Sequence, residues 1–299
     1  MTAALDIQGV ALRSDALIAL RQIALNTRVE PTLTALPGGF ATRRKGHGQE
    51  VADVREYISG DDMRHLDRGT TARTGTLHIR QFQEERDRIS LLIADFRPAM
   101  LWGITRAFRS VAAAEALALI GWKNVHEGGR VGLLALTAGL PVFVPPRGRT
   151  RGMLDVIGGM MTAHQQALDD AMSGAADVPL DGALTGVERL VPTGAELIIA
   201  SGFDMPGVGL GDRLAGLARR RVPHLLMVTD AEAGRLPQGR YPIRLPDGRQ
   251  VHVDLNGAET QPEAESEVAG HMALLINAGA SVQETARSIA AAFPSGRGT

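Results

Sequence analysis

The sequence predicts a doubly wound α/β fold built on a mainly parallel sheet. Three observations carry that expectation. Ile89 to Ala94 is an almost unbroken apolar run that stops at the acid Asp95, as a strand buried on both faces does where it leaves the core. Further short apolar runs recur at 130–137, 196–201 and 224–229. Between them lie stretches with the three- and four-residue apolar spacing of helices. Strand, acid, turn and helix is also the layout of a ligand site at the carboxyl edge of an open sheet.

Taken in order, residues 12–28 carry Leu12, Ala16, Leu20, Ile23 and Ala24 on one helical stripe. Ser14 or Asp15 is placed to cap it. Pro31 and Pro37-Gly38-Gly39 break the chain. The next block, from Gly46 to Asp67, interleaves acids and arginines, and mixed signs at such range suggest an ion-pair network fixing an irregular backbone. Thr76 to Gln83 alternates apolar and polar residues, which predicts a half-exposed strand lying as an edge hairpin partner beside 89–94. A wide apolar helix is expected from about Arg106 to His126, closed by Gly128-Gly129.

After the strand at 130–137, a short strand from Leu140 ends at Pro145-Pro146. Helices are expected over 152–168, 183–190 and 211–221. Pro223 marks the start of the strand that ends at Asp230. A hairpin over 241–255 turns at Pro246-Asp247-Gly248. One or two helices are expected to fill 263–293. The block at 1–85 reads as a helix and a charged segment packed on a main domain spanning 86–299.

Composition excludes several classes. The 299 residues are 44% hydrophobic, enough for a sizeable core. A formal net charge of −1 predicts no steering toward nucleic acid or anionic membrane. Zero cysteines exclude disulfides and thiolate metal sites and fit a reducing cytoplasm. The N-terminus has an early acid and no basic region, so no signal peptide is expected. No apolar run approaches the roughly 18 residues needed to span a bilayer.

Chemical motifs are sparse. There is no P-loop glycine–lysine motif, and Gly207-Val-Gly-Leu-Gly211 misses the third glycine of a dinucleotide fingerprint. The eight histidines, His47, His65 and His78 among them, are scattered without the spacing of a helical metal site. Ser201 has no nucleophile-elbow context. Asp61-Asp62 and Asp169-Asp170 are adjacent, so their side chains diverge in regular structure, which is poor geometry for a paired-carboxylate hydrolase. Arg43-Arg44-Lys45 lacks neighbouring aromatics and reads as a solvated loop. No catalytic residue is expected.

Two segments carry a resemblance. The run from Gly48 through Arg55, Tyr57, Gly60, Asp61, Asp62, Arg64 and Asp67, followed by Thr71-Ala72-Arg73-Thr-Gly75-Thr-Leu77, resembles the signature R-x-Y-x-x-G-D-D-x-R-x-I-D-W and its S/T-A-R-x-G-x-L continuation. That signature belongs to the bacterial domain-of-unknown-function 58 family. Val228-Thr-Asp230-Ala-Glu232 and Leu236-Pro237 resemble its later D-P-x-E and L-P segment. The resemblance implies a von Willebrand factor A-like domain, a Rossmann-like three-layer sandwich with a metal-ion-dependent adhesion site at its top. It implies a MoxR-type AAA+ ATPase as partner and a scaffold or adaptor role, with no known reaction.

This chain departs from that pattern. The adhesion motif Asp-x-Ser-x-Ser reads Asp95-Phe-Arg97-Pro-Ala99 here, so both hydroxyls are gone. Ser201-Gly202-Phe203 lacks the family's middle acid, although Asp204 follows. Thr185 is the candidate threonine ligand, and Arg68 stands where a tryptophan is expected. Magnesium needs six oxygens in near-octahedral geometry. The expectation is therefore a degenerate site without metal, the alternative being a divalent-metal-dependent binding module holding Mg2+ or Mn2+ weakly. Either Arg97 replaces the ion, its fork neutralising Asp95 or Asp204, or it points to solvent while Asp95 caps the turn. For Arg55, Asp61, Asp62, Arg64, Asp67 and Arg73, a structural ion-pair lattice and a partner-binding face both remain open.

Overall fold

A computed structural model describes residues 7–27, 51–58, 61–82, 88–231, 233, 236–237, 239–244, 250–255 and 265–293. Gly60, Glu232, the 43–45 basic cluster and the 246–248 turn lie outside those residues. The chain forms two compact units, residues 1–39 with 89–299, and residues 40–88.

Helix α1 (Ser14–Asn26) belongs to the first unit. Its Leu17 and Leu20 are buried, and the Leu17 carbonyl accepts the indole N–H of buried Trp122 at 2.9 Å. The second unit contains β1 (Val51–Glu56), a one-turn 3-10 helix at Met63–His65, α2 (Arg68–Thr74) and β2 (His78–Phe82). Strand β2 pairs antiparallel with β1. This corrects the expectation that it flanks the 89–94 strand. Alternation sets which face of a strand is wet, but it does not choose the neighbour.

The first unit continues with β3 (Ile89–Asp95), α3 (Arg109–His126), β4 (Arg130–Leu136), β5 (Val142–Gly148), α4 (Arg149–Met172), α5 (Leu180–Ala183), β6 (Glu196–Ser201), α6 (Leu210–Ala218) and β7 (Val222–Thr229). It ends with β8 (Gly239–Arg244), β9 (Gln250–Leu255), β10 (Glu265–Val268), β11 (His271–Asn277) and α7 (Val282–Ala292). The main sheet has the order β10-β11-β7-β6-β3-β4-β5. Its five inner strands are parallel, and β10 and β5 add antiparallel edges. Strands β8 and β9 pair as the expected hairpin, in a sheet of their own.

Helices flank both faces. Leu91 and Ile93 pack with Leu180, Leu184, Leu210 and Leu214 from α5, the turn after it, and α6. Leu92 faces the other way, toward α3, where Gly121 comes so close that a Cβ would lie 3.1 Å from its Cδ1. This is a three-layer α/β arrangement, compatible with a Rossmann-like fold. The chain runs outward from β3 to β4, then returns to β6 on the other side of β3. That reversal is the topological switch point, where open α/β sheets place their ligand crevices.

Two further expectations are corrected. The 183–190 helix is broken: Gly186, at φ +86, separates α5 from a 3-10 turn at Val187–Arg189. The described part of the 263–293 stretch, from residue 265, holds a hairpin and one helix, not helices alone. The β10–β11 turn places Ala269 at φ +50 and Gly270 at φ +81, the two positive angles of a tight primed turn. It swings Ala273–Asn277 into the sheet beside β7.

Candidate functional site

Asp95 closes β3 at the switch point and is 1% exposed. Arg97 follows two residues later and is equally buried. The local sequence explains how it folds back. Pro98 opens a one-turn 3-10 helix and holds Arg97 extended (φ −62, ψ 161). The Asp95 carboxylate then accepts the backbone N–H of Arg97 at 3.0 Å, in the manner of an Asx turn. The Arg97 guanidinium grips the same carboxylate bidentately, Nε to Oδ1 at 2.9 Å and Nη2 to Oδ2 at 2.7 Å. Ser201, at the end of β6, donates its hydroxyl to Oδ2 at 2.6 Å and accepts the Phe203 N–H at 3.0 Å.

Of the two readings for Arg97, the inward one describes its geometry. The remaining Nη1 donates to the carbonyls of Val178 and, at 3.4 Å, Met205. It stands 3.7 Å from the enclosed carboxylate of Asp177. Asp177 in turn accepts the N–H groups of Ala99 at 2.8 Å and Val178 at 2.9 Å. Burial opposes the Arg97 charge, but the bond to Asp95 and the fields of Asp95, Asp177 and Asp204 more than offset it, leaving this guanidinium above its ordinary range. Burial pushes the Asp177 carboxyl up, with Arg97 pulling the other way.

A second arginine, which sequence reasoning missed, completes the layer. Arg109 starts α3 yet is 3% exposed. It binds Asp204 through Nη2–Oδ2 at 2.7 Å and Nη1–Oδ1 at 3.2 Å, and donates Nε to the Val228 carbonyl at 2.9 Å. Trp102 covers it, 5.0 Å from the ring centroid. A Cβ on Gly202 would lie 1.4 Å from Arg109 Nη2. The position lacking the expected acid is therefore filled by this guanidinium. The available signal was an arginine inside the apolar stretch that begins α3.

The other strand ends are spent on loops. Asp230 accepts the Ile104 N–H at 2.7 Å. Asn277 accepts those of Ala231 and Gly279 at 3.1 and 3.0 Å. Thr185 accepts a bond from Arg213 at 3.3 Å and lines a different cavity, of about 590 Å3, together with Asp181, Glu188 and Asp212. The structure thus joins Asp95, Arg97 and Ser201 directly and Ala99 through Asp177, while Asp204 is held by Arg109 and reaches Arg97 only through its field; the described contacts of Thr185 lie elsewhere. Both oxygens of Asp95 are engaged by N–H and O–H donors. A divalent cation there would have to displace a buried guanidinium, so these residues do not fit a magnesium or manganese site. Among the described residues, no group of three or more histidines and acids could hold a metal ion.

In the second unit, Arg55 and Asp61 form a half-buried fork with bonds of 2.7 and 2.6 Å. Asp61 also accepts the Ile58 N–H at 2.8 Å. Arg55 holds the Asp61 carboxyl below its usual range. Asp62 caps the 3-10 turn through the Arg64 N–H at 3.0 Å, and Asp67 caps α2 through Thr70 at 2.7 Å. The Tyr57 N–H meets the Leu77 carbonyl at 2.8 Å. The side chains of Arg64 and Arg73 are exposed.

A family model described as "Protein of unknown function DUF58" matches residues 53–273. The chain belongs to the DUF58 family. The match runs from β1 through the middle of β11, so DUF58 includes the Arg55–Arg73 segment and nearly all of the main sheet. Relatives include the uncharacterized proteins Rv1480 of Mycobacterium tuberculosis and Mb1516 of Mycobacterium bovis, each 32% identical over 102 residues, 34% of this chain. That alignment spans 32% of each relative's length, so the chain covers about a third of these relatives.

Proposed function

We infer that this DUF58 protein is a non-enzymatic, cytoplasmic scaffold or adaptor with a von Willebrand factor A-like main domain, working beside a MoxR-type AAA+ ATPase in a chaperone-like assembly. The observation that carries the reading is the enclosed Asp95–Arg97 fork with Ser201 bound to it. An acid used in catalysis or as a metal ligand needs an open lone pair, and this one has donors on both oxygens. The adhesion site is accordingly degenerate, with Arg97 as an internal cation in place of the ion. The serine–histidine pair Ser110 and His164, 2.9 Å apart, is buried and cannot reach substrate. The ATPase partner follows from the family resemblance.

Two experiments test this. In titration calorimetry with magnesium and manganese, the expected result is no saturable heat; micromolar binding lost in Asp95→Ala would restore the metal-dependent binding module. In affinity capture from native lysate with and without ATP, recovery of a MoxR-type ATPase is expected. Its absence under both conditions would overturn the partnership.

A further inference from the structure

The residues around the 3-10 turn and α2 sort their charges by direction. Asp61 is turned onto Arg55 and the Ile58 N–H, and Asp62 and Asp67 onto the backbone N–H groups of Arg64 and Thr70. The arginines in the same stretch do the opposite. Arg64, Arg68 and Arg73 are exposed, and among the described residues their guanidinium groups have no carboxylate partner. On α2, Arg68, Ala72, Gly69 and Arg73 fall within an arc of about 140° at 3.6 residues per turn, and all four are exposed. Two guanidiniums therefore flank a floor of small side chains. Met63 and Ile58 add exposed apolar surface within the same unit.

We propose that Arg64, Arg68 and Arg73 form a docking face for an acidic segment of a partner protein. The proposal rests on the partner-binding reading above and names the surface that serves it. Guanidinium forks match carboxylates bidentately, and a low floor between them lets an extended chain approach. A nucleic acid is the poorer occupant. No aromatic side chain among the described residues accompanies the arginines on α2, and the whole chain has a net charge of −1.

The test uses the full chain and three probes at low and physiological salt: the purified MoxR-type ATPase of the same cell, poly-L-glutamate and a short DNA duplex. The wild type and the triple variant Arg64→Glu/Arg68→Glu/Arg73→Glu are compared, with a melting curve for each. The expected result is binding of the ATPase and of poly-L-glutamate that weakens with salt and falls at least about tenfold in the variant, while the melting temperature holds. If the triple variant does not fold, Arg68→Gln/Arg73→Gln takes its place. ATPase binding unchanged by the substitutions overturns the face and leaves the partnership standing. Poly-L-glutamate binding that the variant loses, with no ATPase binding by the wild type, leaves the face standing and overturns the partnership. Binding of neither probe, or tighter binding of DNA than of poly-L-glutamate, overturns the proposal.

Discussion

Two buried arginines set the character of the site layer. A buried ion pair adds little net stability over a well-packed apolar substitute, but removing one partner strands the other charge. Arg97→Ala leaves the carboxylate of Asp95 enclosed with one fork removed, so a loss of about 3–5 kcal/mol is expected in chemical denaturation. Asp95→Asn/Arg97→Ala should cost less than the sum of the two single changes, because the two groups share one interaction. His164 supplies a separate residue-scale prediction. Burial lowers its pKa from 6.5 to about 4, so the folded state keeps it neutral against Ser110 and in T-shaped contact with the Phe96 ring. The unfolded chain binds this proton first as pH falls. Stability is then lost between about pH 6.5 and 4, reaching about 2–3 kcal/mol by pH 4.5. Denaturation at pH 7 and pH 4.5 should show that loss in the wild type, and a smaller one in His164→Leu.

At the scale of single elements, the β10–β11 turn decides whether the last strand enters the sheet. Ala269 occupies the left-handed region at φ +50, which costs an L-residue with a Cβ roughly 1–2 kcal/mol. Ala269→Gly removes that cost but adds unfolded-state entropy. A net gain of about 0.5–1 kcal/mol is expected, read as a higher denaturation midpoint with an unchanged slope. The final helix is better determined. Ser281 and Glu284 form a reciprocal capping box, with the Glu284 N–H donating to the Ser281 hydroxyl and Oε2 accepting from the Ser281 backbone. The hydrogen bonds to Ser281 hold the Glu284 carboxyl below its usual range.

For the whole molecule, the sheet is completed late in the chain. Strand β11 lies against β7 along Ala273 to Asn277, and α7 buries Ala286, Ile289 and Ala290. A chain ending at residue 264 would bare the β7 edge and the apolar surface beneath α7. Such an edge is a template for association. The truncated protein is expected to aggregate or to lose its cooperative transition, which light scattering and circular dichroism during denaturation will report.

The sequence by itself determined the buried strands, read as 89–94, 130–137, 196–201 and 224–229 and each found within two residues of those bounds, because apolar runs of that length between helical patterns have few other homes. The Arg55–Arg73 signature pointed to the family, and Asp95-Phe-Arg97-Pro-Ala99 marked a strand-end acid whose neighbours are unsuited to a metal. Only tertiary structure decided the rest. It paired β2 with β1 and brought β11 beside β7, since a strand's pattern fixes its faces and leaves its partner open. It turned Arg97 inward, through Pro98 and the carbonyls of Val178 and Met205, and set Arg109 into the space beside Gly202. Those choices depend on residues about 80 to 120 positions apart meeting at one sheet edge. A charged side chain carries no local mark of being buried until its counter-charge has been placed beside it.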